Sequence, residues 1–99
     1  MTVVLPPMTP AQAEAWNGYE GEHWAAHHAR YDAVNGGFND ALLDAAAVGP
    51  RDRVLDIGCG DGQIRRLAAR RAPLGRATGV DLSGPMLARA RSLARAEGV

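Results

Sequence analysis

Apolar positions along this chain change their period near residue 50. Before it they recur at helical spacing, and after it comes a short, near-continuous apolar run. Thr9, Pro10 and Gln12 read as a helix start: a capping hydroxyl, a residue preset for the first turn, and a glutamine where a capping box places one. A stretch rich in alanine and aromatics follows, is interrupted at NGYEG (17–21), and resumes through EHWAAHHARYDAV (22–34). NGG at 35–37 is a break. In FNDALLDAAAV (38–48), Phe38, Ala41, Leu42 and Ala45 fall at i, i+3, i+4 and i+7, one apolar helical face.

The pattern then shortens. RVLDI (53–57) is the near-continuous apolar run expected of a parallel strand covered on both faces. Five residues alternating in glycine follow, and QIRRLAARRA (63–72) sets Ile64, Leu67 and Ala68 against a face of arginines expected to be solvated. RATGVDL (76–82) reads as a second strand that runs into an acid. Ser83 is placed to cap the next helix, Pro85 suits its first turn, and Gly98 its end. Met86, Leu87, Ala90, Leu93 and Ala94 form that helix's apolar face. The reading is therefore a leader (1–8), helices (9–48) and β-α-β-α (53–99), an α/β chain whose two strands pair in parallel through a right-handed crossover.

Composition narrows the classes. With 99 residues there is room for one domain. Eleven arginines, with no lysine, balance eleven acids, which removes the broad electrostatic case for nucleic acid or an anionic membrane surface. The single Cys59 has no internal disulfide partner, so a reduced, cytoplasmic setting is expected. MTVVLPPMTP lacks the basic and apolar regions of a signal peptide, and no apolar run is long enough to span a bilayer.

The candidate chemistry lies in VLDIGCGDG (54–62). A strand that opens through glycines into a helix holds polar ligands, because backbone amides at the helix start carry partial positive charge and glycines admit close approach. The spacing Gly58-x-Gly60-x-Gly62 departs from the dinucleotide fingerprint Gly-x-Gly-x-x-Gly, since residue 63 is Gln. Asp56 would repel a pyrophosphate and suits an ammonium, leaving the loop amides for a carboxylate. Asp81 ends the second strand 19 residues after Gly62, where an acid accepts both hydroxyls of a ribose. The thioether of Met86 suits a purine face. The implied ligand has a nucleoside at one end and an amino acid at the other.

VLDIGCGDG followed by ATGVDLSGPMLARAR resembles the first motif and the acidic-strand motif of class I S-adenosylmethionine (SAM)-dependent methyltransferases. EGEHWAAHHARYDAVNGGFNDALLDAA is similar to the cap helices of bacterial small-molecule methyltransferases, the group that includes the ubiquinone/menaquinone-biosynthesis type. The resemblance spans about residues 16–99. It implies a Rossmann-like fold with S-adenosyl-L-methionine as cofactor and a small-molecule methyl acceptor as partner. It also implies that Gly58, Cys59, Gly60 and Gly62 pass the methionine portion, Asp56 orients the amino group and Asp81 holds the ribose. Leu82 and Met86 would flank the adenine, and Tyr31 of the cap would reach the methionine end. No catalytic residue is assigned.

Other residues have plainer readings. Asp61 suits the first turn of a helix. Cys59 has no base beside it and is a poor nucleophile. His23 and His27 stand at i, i+4, but HWAAH lacks the metalloprotease glutamate and a third ligand, so no metal is expected. Trp16, Trp24 and Tyr19 read as packing residues. The resembled fold has a seven-stranded sheet, of which this sequence encodes two strands, so the chain reads as the N-terminal portion of a methyltransferase. The alternative is a non-catalytic remnant that keeps the cofactor loop; a nicotinamide or flavin dehydrogenase is disfavoured by Asp56 and by the third glycine.

Overall fold

A computed structural model describes residues 10–99; the leader (1–8) and the Thr9 cap lie outside the described residues. Three helices, α1 (Pro10–Asn17), α2 (Tyr19–Ala26) and α3 (His28–Asn35), are followed by a 3₁₀ turn, Gly36–Phe38, and by α4 (Asn39–Ala45). The predicted interruption falls at Gly18, and a second one at His27 divides the stretch expected to be continuous. Then come β1 (Arg53–Ile57), α5 (Gln63–Arg71), β2 (Arg76–Val80) and α6 (Gly84–Glu97).

The strands pair in parallel, with Arg53 opposite Arg76 and Ile57 opposite Val80. Residues two apart share a face, so Val54 and Asp56 lie beside Ala77 and Gly79, while Leu55 and Ile57 lie beside Thr78 and Val80. The first set meets the core. Leu43, Ala68 and Ala77 are buried there, and Val48, Val54, Ile64 and Leu67 pack around them. The second set is bare: Leu55 is 59% and Ile57 78% exposed. The expectation of strands covered on both faces is thus corrected. Helix α5 covers one face only, and nothing among the described residues covers the other.

Helix α6 follows its signals. The Ser83 hydroxyl accepts from the Met86 amide, Pro85 lies in the first turn, and Gly98 closes the helix at φ 72°. Two side-chain expectations change. The face of α4 formed by Phe38, Ala41, Leu42 and Ala45 points outward, and Asn39 and Leu43 are the buried pair. Arg66, expected on a solvated face, is buried at 6% exposure. Its Nη1 donates to the Asp61 carbonyl at 2.6 Å, and its Nε lies 2.6 Å from Glu97 of α6. A buried guanidinium needs such partners.

Helices α1 and α2 dock on the start of α6. The Asn17 amide donates to the Leu82 carbonyl at 3.0 Å and its oxygen accepts from the Gly84 amide at 2.9 Å. The Ser83 hydroxyl donates to the Trp16 carbonyl, and Arg89 to the carbonyl of Ala25. These contacts hold the cap beside the carboxyl ends of both strands, where open α/β sheets bind ligands.

Candidate cofactor site

The alternating glycines answer to backbone geometry. Gly58, Gly60 and Gly62 have φ of 75°, 56° and 83°, a region that side-chain-bearing residues rarely adopt. A Cβ on Gly58 would meet nothing within 4 Å, so that residue opens onto free space, whereas one on Gly60 would come within 3.1 Å of Met86 Cε. The loop is braced from inside. Gly58 and Cys59 amides both donate to the Val80 carbonyl, at 2.7 and 2.9 Å. The Gly60 amide donates to Asp81 Oδ2 at 2.9 Å, the Gly62 amide to the Cys59 carbonyl and the Gln63 amide to Asp61 Oδ1. Of the amides from 58 to 63, only that of Asp61 has no acceptor among the described residues. The expectation that these amides as a group receive a ligand carboxylate is therefore revised: they fix the loop's shape.

Two adjoining hollows lie over this loop. One, of about 330 Å³, is lined by Trp24, Tyr31 and Asp32 of the cap, by Asp56, and by Gly58, Cys59, Gly60 and Asp61. The other, of about 280 Å³, is lined by Trp16, Trp24, Gly58, Gly60, Asp81, Leu82 and Met86. Gly58, Gly60, Trp24 and Met86 border both. Of the residues expected at the site, Tyr31, Asp56, Gly58, Cys59, Gly60, Asp81, Leu82 and Met86 are brought together here. Gly62 lies on the far side of the loop, where its missing side chain lets Ala90 of α6 approach: a Cβ would sit 3.3 Å from Ala90 Cβ.

The electrostatics are acidic. Burial and then the nearby Asp81 charge push the Asp56 carboxyl above the usual carboxylate range. Burial, with Asp56 and Asp81 adding to it, also raises the Cys59 thiol, which keeps it protonated and unreactive. Asp81 ties the loop to the start of α6, since Oδ1 accepts from the Ser83 amide at 2.8 Å while Oδ2 accepts from the Gly60 amide at 2.9 Å. Trp24 and Tyr31 stack with centroids 3.7 Å apart and form an aromatic wall.

Several lining residues escaped the sequence reading, namely Trp24, His28, Asp32, Asn35, Asn39, Asp61 and Gln63. Asp61 does bond the first helical amide, as its position suggested, yet it is buried and faces the hollow. Gln63 donates to the Asp32 carbonyl at 3.3 Å and joins the loop to α3. His23 and His27 lie with ring centroids 4.3 Å apart and planes tilted by 33°, and Tyr19 stacks on His23. Among the described residues no cluster of three or more His, Cys, Asp or Glu is arranged for a metal, and no helix is long and apolar enough to cross a membrane.

Residues 54–99 match a family model described as a methyltransferase domain. The trans-aconitate 2-methyltransferase of Streptomyces avermitilis is 39% identical over 87 residues, covering 86% of this chain and 30% of that protein. An uncharacterized methyltransferase of Mycobacterium bovis is 47% identical over 53 residues, 54% of this chain and 26% of that one. A ubiquinone/menaquinone biosynthesis C-methyltransferase of Ruegeria sp. is 40% identical over 60 residues, 61% of this chain and 24% of its own. No solved structure matches the chain. The chain belongs to the class I SAM-dependent methyltransferases and carries part of their Rossmann-like domain. The cofactor of that family is S-adenosyl-L-methionine. The chain spans about a third or less of the length of the curated relatives it matches.

Proposed function

We propose that the protein transfers a methyl group from SAM to a small-molecule acceptor. The observation that carries this reading is one loop with a hollow on either side of it, Asp56 in the first and Asp81 in the second. The donor set fits the cofactor. A desolvated carboxylate suits the ammonium of the methionine end, and Asp81 keeps lone pairs for ribose hydroxyls while it anchors Gly60. Leu82 and Met86 offer an apolar border for adenine, and the open space over Gly58 admits the chain between the two ends.

When bound, the cofactor supplies an electrophilic methyl group on a positively charged sulfur. The work of these residues is to bind, orient and keep water away. Asp56 and Asp81 fix the two ends, and the Trp24–Tyr31 wall shields the methionine side. Cys59, held as a thiol, takes no covalent part. No described side chain is assigned as a base, which suits an acceptor that arrives as a competent nucleophile. The matched relatives are named for different acceptors, trans-aconitate and a quinone-pathway compound, so the class proposed here is a small molecule without further detail.

The bare sheet face supports a second statement. We infer that the working protein covers Leu55, Ile57 and Val80 with further structure, as a fragment of a larger fold would require. A non-catalytic remnant is the competing reading that the same face favours. Calorimetry with S-adenosylhomocysteine and with NAD tests the cofactor assignment. Binding of the former, weakened at least about tenfold in Asp81→Ala, is the expected result, and binding of NAD alone would overturn the assignment. Transfer of labelled methyl from the cofactor to candidate acceptors then separates enzyme from remnant, since a remnant binds without turnover.

A further inference from the structure

The first hollow holds more carboxyl groups than an ammonium requires. Asp56, Asp61 and Asp32 all line it, and the one ionisable nitrogen base on its wall is His28. Asp32 comes from α3 of the cap. It faces Asp61 of the loop, Arg66 of α5 and Glu97 of α6. Arg66 offsets this charge only in part: its Nε is 2.6 Å from Glu97, which Arg70 also holds at 2.7 Å, its Nη1 is held by the Asp61 backbone carbonyl, and its Nη2 reaches Asp32 only at 3.7 Å. One buried guanidinium thus serves two carboxylates and a backbone carbonyl, and leaves the Asp61 carboxyl without a cation. Helix α3 has no buried residues, so polar groups set how it meets the loop.

Resting on the function proposed above, we propose that Asp32 is a specificity-determining residue that makes the site prefer the cationic sulfonium cofactor to the neutral thioether left after transfer. Both ligands share the ammonium, the carboxylate and the nucleoside, so Asp56 and Asp81 treat them alike. They differ by one positive charge at sulfur. A surplus carboxylate in the hollow where the methionine end lies attracts that charge, and the attraction ends when the methyl group leaves. Product release is favoured by the same chemistry that completes the reaction. Burial, followed by the proximity of Asp61, holds the Asp32 carboxyl at about 7 in the empty site. Its charge, and with it the discrimination, therefore develops as pH rises through neutrality.

The test is the ratio of the affinities for SAM and S-adenosylhomocysteine, measured by calorimetry at pH 6 and pH 8. The unaltered chain is expected to show a ratio that grows several-fold toward pH 8. In Asp32→Asn the ratio should fall by about tenfold at pH 8, the size of one charge contact at a partly exposed site, and become flat with pH. Asp32→Glu should restore both the ratio and its slope, and far-UV spectra establish that each variant is folded. Should Asp32→Asn not fold, the pH slope of the unaltered chain and of Asp32→Glu decides. Equal weakening of both ligands in Asp32→Asn, or a pH-independent ratio in the unaltered chain, would overturn the inference alone. Failure of the unaltered chain to bind either ligand would overturn the cofactor assignment and the inference together.

Discussion

Asp56 stands inside an apolar strand because strand and ligand make opposite demands on it. Packing and the Asp81 charge resist its ionisation in the empty site. An arriving ammonium favours the ionised form, so binding should expel a proton. Affinity for the thioether product, which keeps the ammonium, is expected to rise with pH until Asp56 ionises unaided. Calorimetry in buffers of different ionisation enthalpy should find proton release at mildly acidic pH; Asp56→Asn should abolish it and weaken binding at least about tenfold. Equal release in both proteins would separate Asp56 from the ammonium. Asp32 gives a linked stability prediction. An acid raised from 3.8 to about 7 on folding stabilises the fold most below 3.8 and loses that contribution as pH climbs to 7. The unliganded chain should therefore melt higher at pH 5 than at pH 7.5, with a smaller difference in Asp32→Asn. Asp56 and Asp81 were legible because a motif marks their positions. Asp32 was not, because only the three-dimensional docking of α3 brings it to the loop.

Elements were read well where local signals define them and less well where packing does. Ser83, Pro85 and Gly98 mark the ends of α6 in any context. Period alone shows which residues share a face of α4, yet not which face meets the body. Asn39 and Leu43 lie on the same side as Asp40 and Asp44, and Arg71 of α5 pairs with both of those acids. That rotation turns Phe38 and Leu42 outward. The burial of Arg66 has a related cause, since Glu97 comes from α6 and the Asp61 carbonyl from the loop, and the period of α5 carries no trace of either. The cap's attachment offers a direct test. A Cβ on Gly21 of α2 would lie 1.9 Å from the Trp16 carbonyl oxygen and 2.7 Å from Ser83 Oγ. Backbone has little room to yield, so Gly21→Ala should cost about 1–3 kcal/mol in urea unfolding and lower cofactor affinity by displacing Trp24. Gly37→Ala meets nothing within 4 Å and should stay within about 0.5 kcal/mol of the unaltered chain. Similar losses in the two variants would mean that α2 does not seat as described.

At the scale of the molecule, the same chain has a finished site loop and an unfinished sheet. The near-continuous apolar run of β1 implies burial on both faces; what α5 supplies is cover for one face. Leu55, Ile57 and Val80 form an apolar strip on the other, at 59%, 78% and 43% exposure. Such strips bind other apolar surfaces when they meet them. Folding of the isolated chain gains less from Leu55 and Ile57 than from a core residue, because more than half of each stays in water. The double substitution Leu55→Thr with Ile57→Thr should accordingly leave unfolding free energy within about 1 kcal/mol and lower self-association in sedimentation. Leu43→Ala, at a position 3% exposed in the core, should cost about 2–5 kcal/mol instead. If the double variant lost as much as Leu43→Ala, the strip would be covered in solution. The dependence of that loss on protein concentration would then identify the cover: a second copy of the chain makes stability rise with concentration, whereas cover supplied within one chain leaves it constant.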